Sequence, residues 1–298
     1  MLIAASRIIT AAGRKHGTPA VLRPGYLRCE NGRITAVRAG KPDSQPDVEL
    51  RDGVLLPGFI DLQVNGYFGV EFAAADRNGW ALVARRLPES GTTAFLPTFI
   101  TAPLAEMADA LRRAHDCVSA LPERKAGARV LGFHVEGPFI AASRRGAHNA
   151  GWIVPPDTAA VETLLAAGQG LVRVMTLAPE VDGAMAAIRQ LDRAGVIASV
   201  GHSDATGRQV AAAATSGARM ITHLFNAQRP MHHREPGVVG QALSDSRFVA
   251  SLIADLHHVS GQVAAIAFAA APGRICLVTD AAACAGRVAG TPRGSAGS

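Results

Sequence analysis

Eight apolar runs recur along this chain: VLLPGFIDLQV, TTAFLPTFI, RVLGFHVEG, LVRVMTLAP, VIASVGHS, RMITHLFN, FVASLIAD and RICLVTD. Most are short, rich in Val, Ile, Thr and Phe, and broken by Gly, Pro or Asp, as strands are. Between most of them lie Ala/Leu/Arg stretches with apolar residues at helical spacing, such as LAEMADALRRAHDCVSAL, AMAAIRQLDRAG and GQVAAIAFAA. Strand and helix in alternation predict a parallel sheet with helices outside it, and eight such units predict an α/β fold, the (β/α)8 TIM-like barrel. A doubly wound open sheet is the alternative. It is disfavoured because no GxGxxG or Walker loop follows the first strand.

The segment before the first run reads differently. LIAASRIIT and GYLRCENGRITAVRAG alternate in β fashion, with Asn31-Gly32 as a hairpin signal and KPDSQPD as a loop. The expected organisation is a small, incomplete N-terminal β-sandwich domain over 1–53, a barrel over 54–281, and an irregular or disordered tail over 282–298. The tail, AAACAGRVAGTPRGSAGS, is Gly/Ala/Ser/Arg-rich and aperiodic, so no covering helix can be read after the last run. No apolar run approaches the roughly 18 residues of a membrane span. The N-terminus lacks a basic n-region, so no signal peptide is expected. Cys29, Cys117, Cys276 and Cys284 form no CxxC and suit free thiols in a cytoplasmic protein. The net charge is +6, but the Arg residues are dispersed and aromatics make up only 5%, which argues against a nucleic-acid partner.

Polar residues stand where the eight runs end. Gln63 and Asn65, Glu136, His202, His223 and Asp280 close five different runs. In a barrel of this type those ends form the active-site face, so the six converge. Each has an ordinary reading by itself: a solvated Glu, a structural His, an Asp capping a helix. Together, one carboxylate and two imidazoles (Glu136, His202, His223) form the ligand set of an open four-coordinate divalent metal site. Asp280 then reads as a general base and acid beside it. His134, two residues from Glu136 on the same face, suits a hydrogen-bonding role behind the ligands. Further polar groups lie in RRGAHNA (His148, Asn149), FNAQRPMHHREPG (Asn226, His232, His233, Arg234) and IADLHHV (Asp255, His257, His258). Arg234 suits bidentate binding of a phosphate or carboxylate.

In this order, PGFIDLQVNG, HVEGPF, GAHN, GHSDAT, THLFNA, REPG and LVTDA resemble the N-acetylglucosamine-6-phosphate deacetylases of the amidohydrolase superfamily, from about residue 1 to Ala281. The resemblance implies hydrolysis of the acetamide of N-acetylglucosamine 6-phosphate to glucosamine 6-phosphate and acetate. It implies Glu136, His202 and His223 as ligands of one divalent metal, Zn2+ or Fe2+ among the candidates, and Asp280 as catalytic acid/base. It places Ala147, His148, Asn226, Ala227, Arg234 and His258 at substrate-binding positions, with His148 polarising the acetamide carbonyl. Arg234 would reach the sugar phosphate from the neighbouring subunit of a homodimer. Many amidohydrolases carry His-x-His where this chain has Gln63-Val64-Asn65. The resemblance implies that Gln63 and Asn65 order water and orient neighbours beside a single metal.

Two departures stand out. Leu256 and His257 replace the Gly and Leu usual in relatives, and a branched Leu256 is expected to narrow the sugar site. Relatives continue past the last-strand Asp with a loop, a covering helix and further strands, so TPRGSAGS reads as a truncation or an out-of-frame tail. The alternative function is accordingly a weakly active or inactive homologue that only binds metal or sugar phosphate. A two-metal cyclic amidase is disfavoured: Lys15, Lys41 and Lys125 are the only lysines, and none closes a run.

Overall fold

A computed structural model describes residues 1–10, 21–121 and 127–287. The chain divides into two compact units, Met1–Phe59 and Ile60–Ser298. The first is a five-stranded sheet of β1 (Leu2–Ile9), β2 (Val21–Leu22), β3 (Gly25–Glu30), β4 (Arg33–Ala39) and β5 (Val48–Leu55). All its pairs are antiparallel except β1 with β5, which is parallel. Asn31 and Gly32 both take left-handed backbone (φ 50° and 72°) and join β3 to β4, as the Asn-Gly signal predicts. The run VLLPGFIDLQV is two strands rather than one. The expected boundary at residue 53 therefore falls inside β5. Pro57 stands two residues past its end, and a residue without an amide hydrogen cannot extend the ladder.

The second unit is the barrel. Its strands begin with β6 (Phe59–Val64) and continue, past the two-residue arms β7 (Gly66–Tyr67) and β8 (Val70–Glu71), with β9 (Thr92–Ile100) and β10 (Arg129–Val130). They end with β11 (Phe133–Glu136), β12 (Val172–Leu177), β13 (Ile197–Val200), β14 (Met220–Ile221), β15 (Val249–Ile253) and β16 (Ile275–Val278). In the order β9, β11, β12, β13, β14, β15, β16 neighbouring strands pair in parallel, and β6 pairs with β9. The ring closes where Val64 bridges Ala281 in parallel, with Asn65 N donating to Ala281 O (2.8 Å) and Asp280 N to Gln63 O (3.0 Å). The eight staves are β6, β9, β11, β12, β13, β14, β15 and β16, one for each run in the sequence.

One helix follows each of the first seven staves: α1 (Arg77–Arg86), α2 (Leu104–Ser119), α3 (Thr158–Ala167), α4 (Ala184–Arg193), α5 (Gly207–Ser216), α6 (Gly237–Ser244) and α7 (Gly261–Ala270). Asp76, Asp157, Thr206 and Ser260 start four of them by accepting a hydrogen bond from the first turn, and Thr206 forms a reciprocal capping box with Gln209. Among the described residues β16 is followed by turns rather than a helix; residues 288–298 of the expected tail lie outside the description, as do Lys15 and Lys125.

The barrel interior is layered. Leu96, Val174 and Met220 pack together at the bottom with Leu62 and Leu131. Two residues further along stand Thr98 and Thr176 on the same strands and Thr222 just past the end of β14, all buried. This second layer is polar because it supports the groups at the mouth. His134 Nδ1 lies 3.0 Å from Leu62 O, which only accepts, so Nδ1 donates and Nε2 accepts from Thr176 Oγ1 at 2.7 Å. Thr176 in turn accepts from Thr222 (2.7 Å), and Thr222 from Ser199 (2.6 Å). Both ring nitrogens of His134 are thus engaged below the mouth.

Leu256 overturns an expectation. It is 68% exposed, outside the cavity described below, and held left-handed at φ 65°. A non-glycine residue there costs about 1–2 kcal/mol, against about 0.5–1 kcal/mol for glycine's extra freedom when unfolded. Leu256→Gly is therefore expected to raise the melting temperature by about 1–3 °C by calorimetry and to leave KM within about twofold. A larger KM change would put Leu256 back at the sugar.

Candidate metal and substrate site

The mouth of the barrel is built by backbone that turns inward just past the strands. His202, His223 and Asp280 each stand two residues beyond the end of β13, β14 and β16, and all three are left-handed (φ 46°, 30° and 51°). That conformation ends the strand and throws the side chain across the opening. Strained backbone of this kind concentrates at functional sites. Gly201 makes room for it: a Cβ there would lie 2.7 Å from Thr222 Cβ and 2.8 Å from Thr176 Cγ2. Glu136 is the last residue of β11 itself.

The converging atoms are close. Glu136 Oε1 lies 3.1 Å from His202 Nε2 and 3.0 Å from His223 Nε2, and the two Nε2 atoms are 3.1 Å apart. All three side chains are buried. His202 Nδ1 faces Arg144 O at 2.9 Å and must donate to it, so a neutral His202 presents a lone pair at Nε2. A lone pair aimed at a carboxylate oxygen is repulsive unless a cation joins them. One such cation is a proton. Burial depresses His223's pKa, but the Glu136 hydrogen bond and charge outweigh it and raise the value. Burial likewise raises Glu136, and the two imidazoles more than reverse it, holding the carboxyl well below its usual range. The other cation is a metal: donors on a tetrahedral ion at about 2.0–2.1 Å lie about 3.3 Å apart, close to this triangle. Two imidazoles and a carboxylate fit such an ion.

His148 is the rival ligand, because Glu136, His148 and His202 also offer ligand atoms within 4.8 Å of one another. Its tautomer argues against it. Thr101 N–H donates to His148 Nδ1 (3.3 Å), with Thr101 Oγ1 2.7 Å from the same atom, so Nδ1 accepts and Nε2 carries the proton. Burial, then the His202 charge, pushes its pKa down to about 4, so at neutral pH it is an uncharged N–H donor.

Gln63 and Asn65 do not touch this triangle as imidazoles would. Gln63 Nε2 donates to Glu136 Oε1 and to Asp280 Oδ1, both at 3.1 Å, and Asn65 Nδ2 donates to Asp280 Oδ1 at 2.7 Å. Two amides thus fix Asp280 beside the Glu136–His202–His223 cluster. Their carbonyl oxygens are buried without a protein partner. Burial first, then the Glu136 charge, pushes the pKa of Asp280 up to about 6.

A cavity of about 1050 Å3 opens above these groups. Of the expected residues Asn65, Glu136, Ala147, His148, His202, His223, Asn226, Ala227, His258 and Asp280 line it. His258 is held by Asp255, whose Oδ2 lies 2.7 Å from His258 Nδ1. Arg234 does not line the cavity of its own chain: it is exposed in the turn between His232 and Glu235. The arginine that does line it is Arg287, with Phe68, Gly69, Glu71 and Cys284. These lie in short arms and turns without periodicity, where sequence patterns give no signal. Thr101, which sets the His148 tautomer, was also unforeseen; a polar residue directly after TTAFLPTFI was its one trace.

The amidohydrolase family model matches residues 54–288. The chain belongs to the amidohydrolase family. Among its relatives, the amidohydrolase resembles the N-acetylglucosamine-6-phosphate deacetylase of Bacillus subtilis (strain 168), with 39% identity over 87% of this chain and 67% of the relative. It is 43% identical to the Homo sapiens protein of the same name, over 76% of this chain and 57% of the other. The crystal structure of N-acetyl-D-glucosamine-6-phosphate deacetylase from Mycobacterium smegmatis superposes with a TM-score of 0.86 and 36% identity, covering 97% of this chain and 73% of that one. This amidohydrolase therefore spans 57–67% of the length of these two curated relatives.

Proposed function

We propose that this amidohydrolase deacetylates N-acetylglucosamine 6-phosphate, releasing acetate and glucosamine 6-phosphate. The observation that carries the reading is the Glu136–His202–His223 triangle with Asp280 and His148 beside it under one cavity. The names of the relatives support the substrate. Glu136, His202 and His223 would hold one divalent ion, Zn2+ as the first choice for this N/O set and Fe2+ as another. Such an ion supplies Lewis acidity, activating a water and polarising the amide carbonyl.

The chain's own groups do the rest. Asp280 accepts the proton of the attacking water, then delivers it to the departing nitrogen, since an amine leaves poorly unless protonated. Its nearness to neutral pKa suits both halves of that cycle. His148 donates its Nε2 hydrogen to the acetamide oxygen as negative charge develops there. Gln63 and Asn65 orient Asp280 and offer their free carbonyl oxygens to ordered water. Ala147, Asn226, Ala227 and His258 contact the sugar, and Arg234 serves the phosphate of a neighbouring subunit in a homodimer. We place the enzyme in the cytoplasm; none of its described helices is long and apolar enough to cross a membrane.

Acetate release from N-acetylglucosamine 6-phosphate tests this. Turnover is expected to vanish with chelator and return with Zn2+ or Fe2+. Chelator-resistant turnover would remove the metal from the scheme. One observation favours the second reading, a homologue that binds metal and sugar phosphate but turns over weakly. Ile60 of β6 and Leu277 of β16 expose 52% and 51% of their surfaces on the two strands whose ends meet at the closure. Binding of the sugar phosphate without acetate release would decide for that reading.

A further inference from the structure

Asp204 belongs to no group that the proposed reaction uses. Yet it joins the loops that follow β11, β13 and β14. Its Oδ1 accepts from Arg144 Nε at 2.9 Å and lies 2.7 Å from Arg144 Nη2, while Oδ2 accepts from Arg229 Nη2 at 3.0 Å. Its backbone N–H donates to Glu180 Oε1 beyond β12, and the adjoining Ser203 Oγ donates to Glu180 Oε2 at 2.7 Å. Four successive loops thus meet at one dipeptide. Three of them carry residues of the site: His148 and Ala147, His202, and Asn226 and Ala227.

The clasp reaches the ligand cluster through one atom. Arg144 O accepts the Nδ1 proton of His202, which fixes the ring and keeps Nε2 free. A second bond, Ala141 N to His202 O (2.9 Å), ties the same two loops together. We propose that Asp204 is a positioning residue: through Arg144 it sets the orientation and tautomer of His202, and through Arg229 it aligns the sugar-facing loop with it. This rests on Glu136, His202 and His223 being the metal ligands.

Physics separates this role from a merely structural one. The three charged side chains are each half-buried, with 32–33% of their surface in water, so solvent screens their ion pairs and leaves them a modest share of folding stability. Partners that orient a ligating imidazole, by contrast, typically change metal affinity about 10–100-fold when removed.

The test is a Zn2+ competition against a chromophoric chelator on the full chain. Asp204→Ala and Arg144→Ala are each expected to weaken Zn2+ binding about 10–100-fold, with melting temperatures of the metal-free proteins within a few degrees of the parent. Arg144→Ala retains the carbonyl that His202 uses, so it reports on the clasp rather than on the acceptor. The double variant is expected to be no weaker than either single one, because both break the same link. Amide hydrogens of 141–148 should exchange faster in both. His202→Ala is the control for the ligand reading. If it keeps the parent affinity, the ligand set is wrong. If it loses Zn2+ while Asp204→Ala and Arg144→Ala keep it, the ligand set stands and the clasp is wrong. Additive losses in the double variant would also overturn the clasp.

Discussion

Asp280→Asn is expected to lower the turnover number for acetate release by about 10²–10⁴-fold, the range for loss of a positioned acid/base. The substitution isolates chemistry from architecture. The Asn carbonyl oxygen can still accept from Asn65 Nδ2 and Gln63 Nε2, the two donors that now hold Asp280 Oδ1. What disappears is the ability to take and return a proton. KM and bound metal should therefore stay within a few-fold of the parent. Steady-state acetate release with metal analysis on the same preparation checks all three quantities. Turnover within tenfold of the parent would take Asp280 out of the proton transfers. Loss of metal in parallel would give it a ligand-holding role instead.

The second large effect concerns folding. Asp61 is buried, 5% exposed, and lies in the seam that closes the ring. Its Oδ1 accepts from Gln63 N and Thr279 N, each at 3.2 Å, and its Oδ2 accepts from Thr279 Oγ1 at 2.6 Å. Burial raises its pKa, with the Thr279 and Gln63 donors pulling the other way. Asp61→Ala strands those donors. At about 1–3 kcal/mol for a donor left unsatisfied, and with water reaching exposed Thr279, a net loss of about 3 kcal/mol is expected. Calorimetry should show a melting temperature about 5–10 °C lower. Because Thr279 precedes Asp280, turnover should fall as well, even below the transition. A melting temperature unchanged within 2 °C would mean that the seam closes without this carboxylate.

Much of this molecule is legible in its sequence. The eight apolar runs are the eight staves, and the helical stretches between them became α2, α4 and α7. Strand patterns are local and periodic, so they survive in one sequence. The polar residues at the run ends met because a barrel brings those ends together, which is topology rather than pattern. The left-handed turn at His202, His223 and Asp280 left no trace: Gly or Asn is the usual sign of it, and here His and Asp adopt it. Hydrogen-bond direction was equally hidden. Nothing in GAHN says that Thr101 places the His148 proton on Nε2, or in GHSDAT that Asp204 reaches two arginines. Leu256 misled because a branched residue in a site loop suggests bulk in the cavity, whereas the left-handed backbone turns it outward. Arg234 is expected at the phosphate of a neighbouring subunit, and its exposed place outside its own chain's cavity leaves that expectation standing.

The seam also sets an order of events. Gln63 and Asp280, which share a hydrogen bond, are 217 residues apart. At about 5–20 residues per second, a ribosome needs roughly 10–40 s to make the chain between them. Throughout that time β6 has an edge with no partner, an invitation to the wrong strand. The same late pairing delivers Asp280 to the Glu136–His202–His223 cluster, so the group proposed to move the proton is put in place by the final link of the ring. On the proposed reading, acetate release doubles as a readout of ring closure, and nascent chains stalled before residue 280 should hold Glu136, His202 and His223 in place without the carboxylate of Asp280.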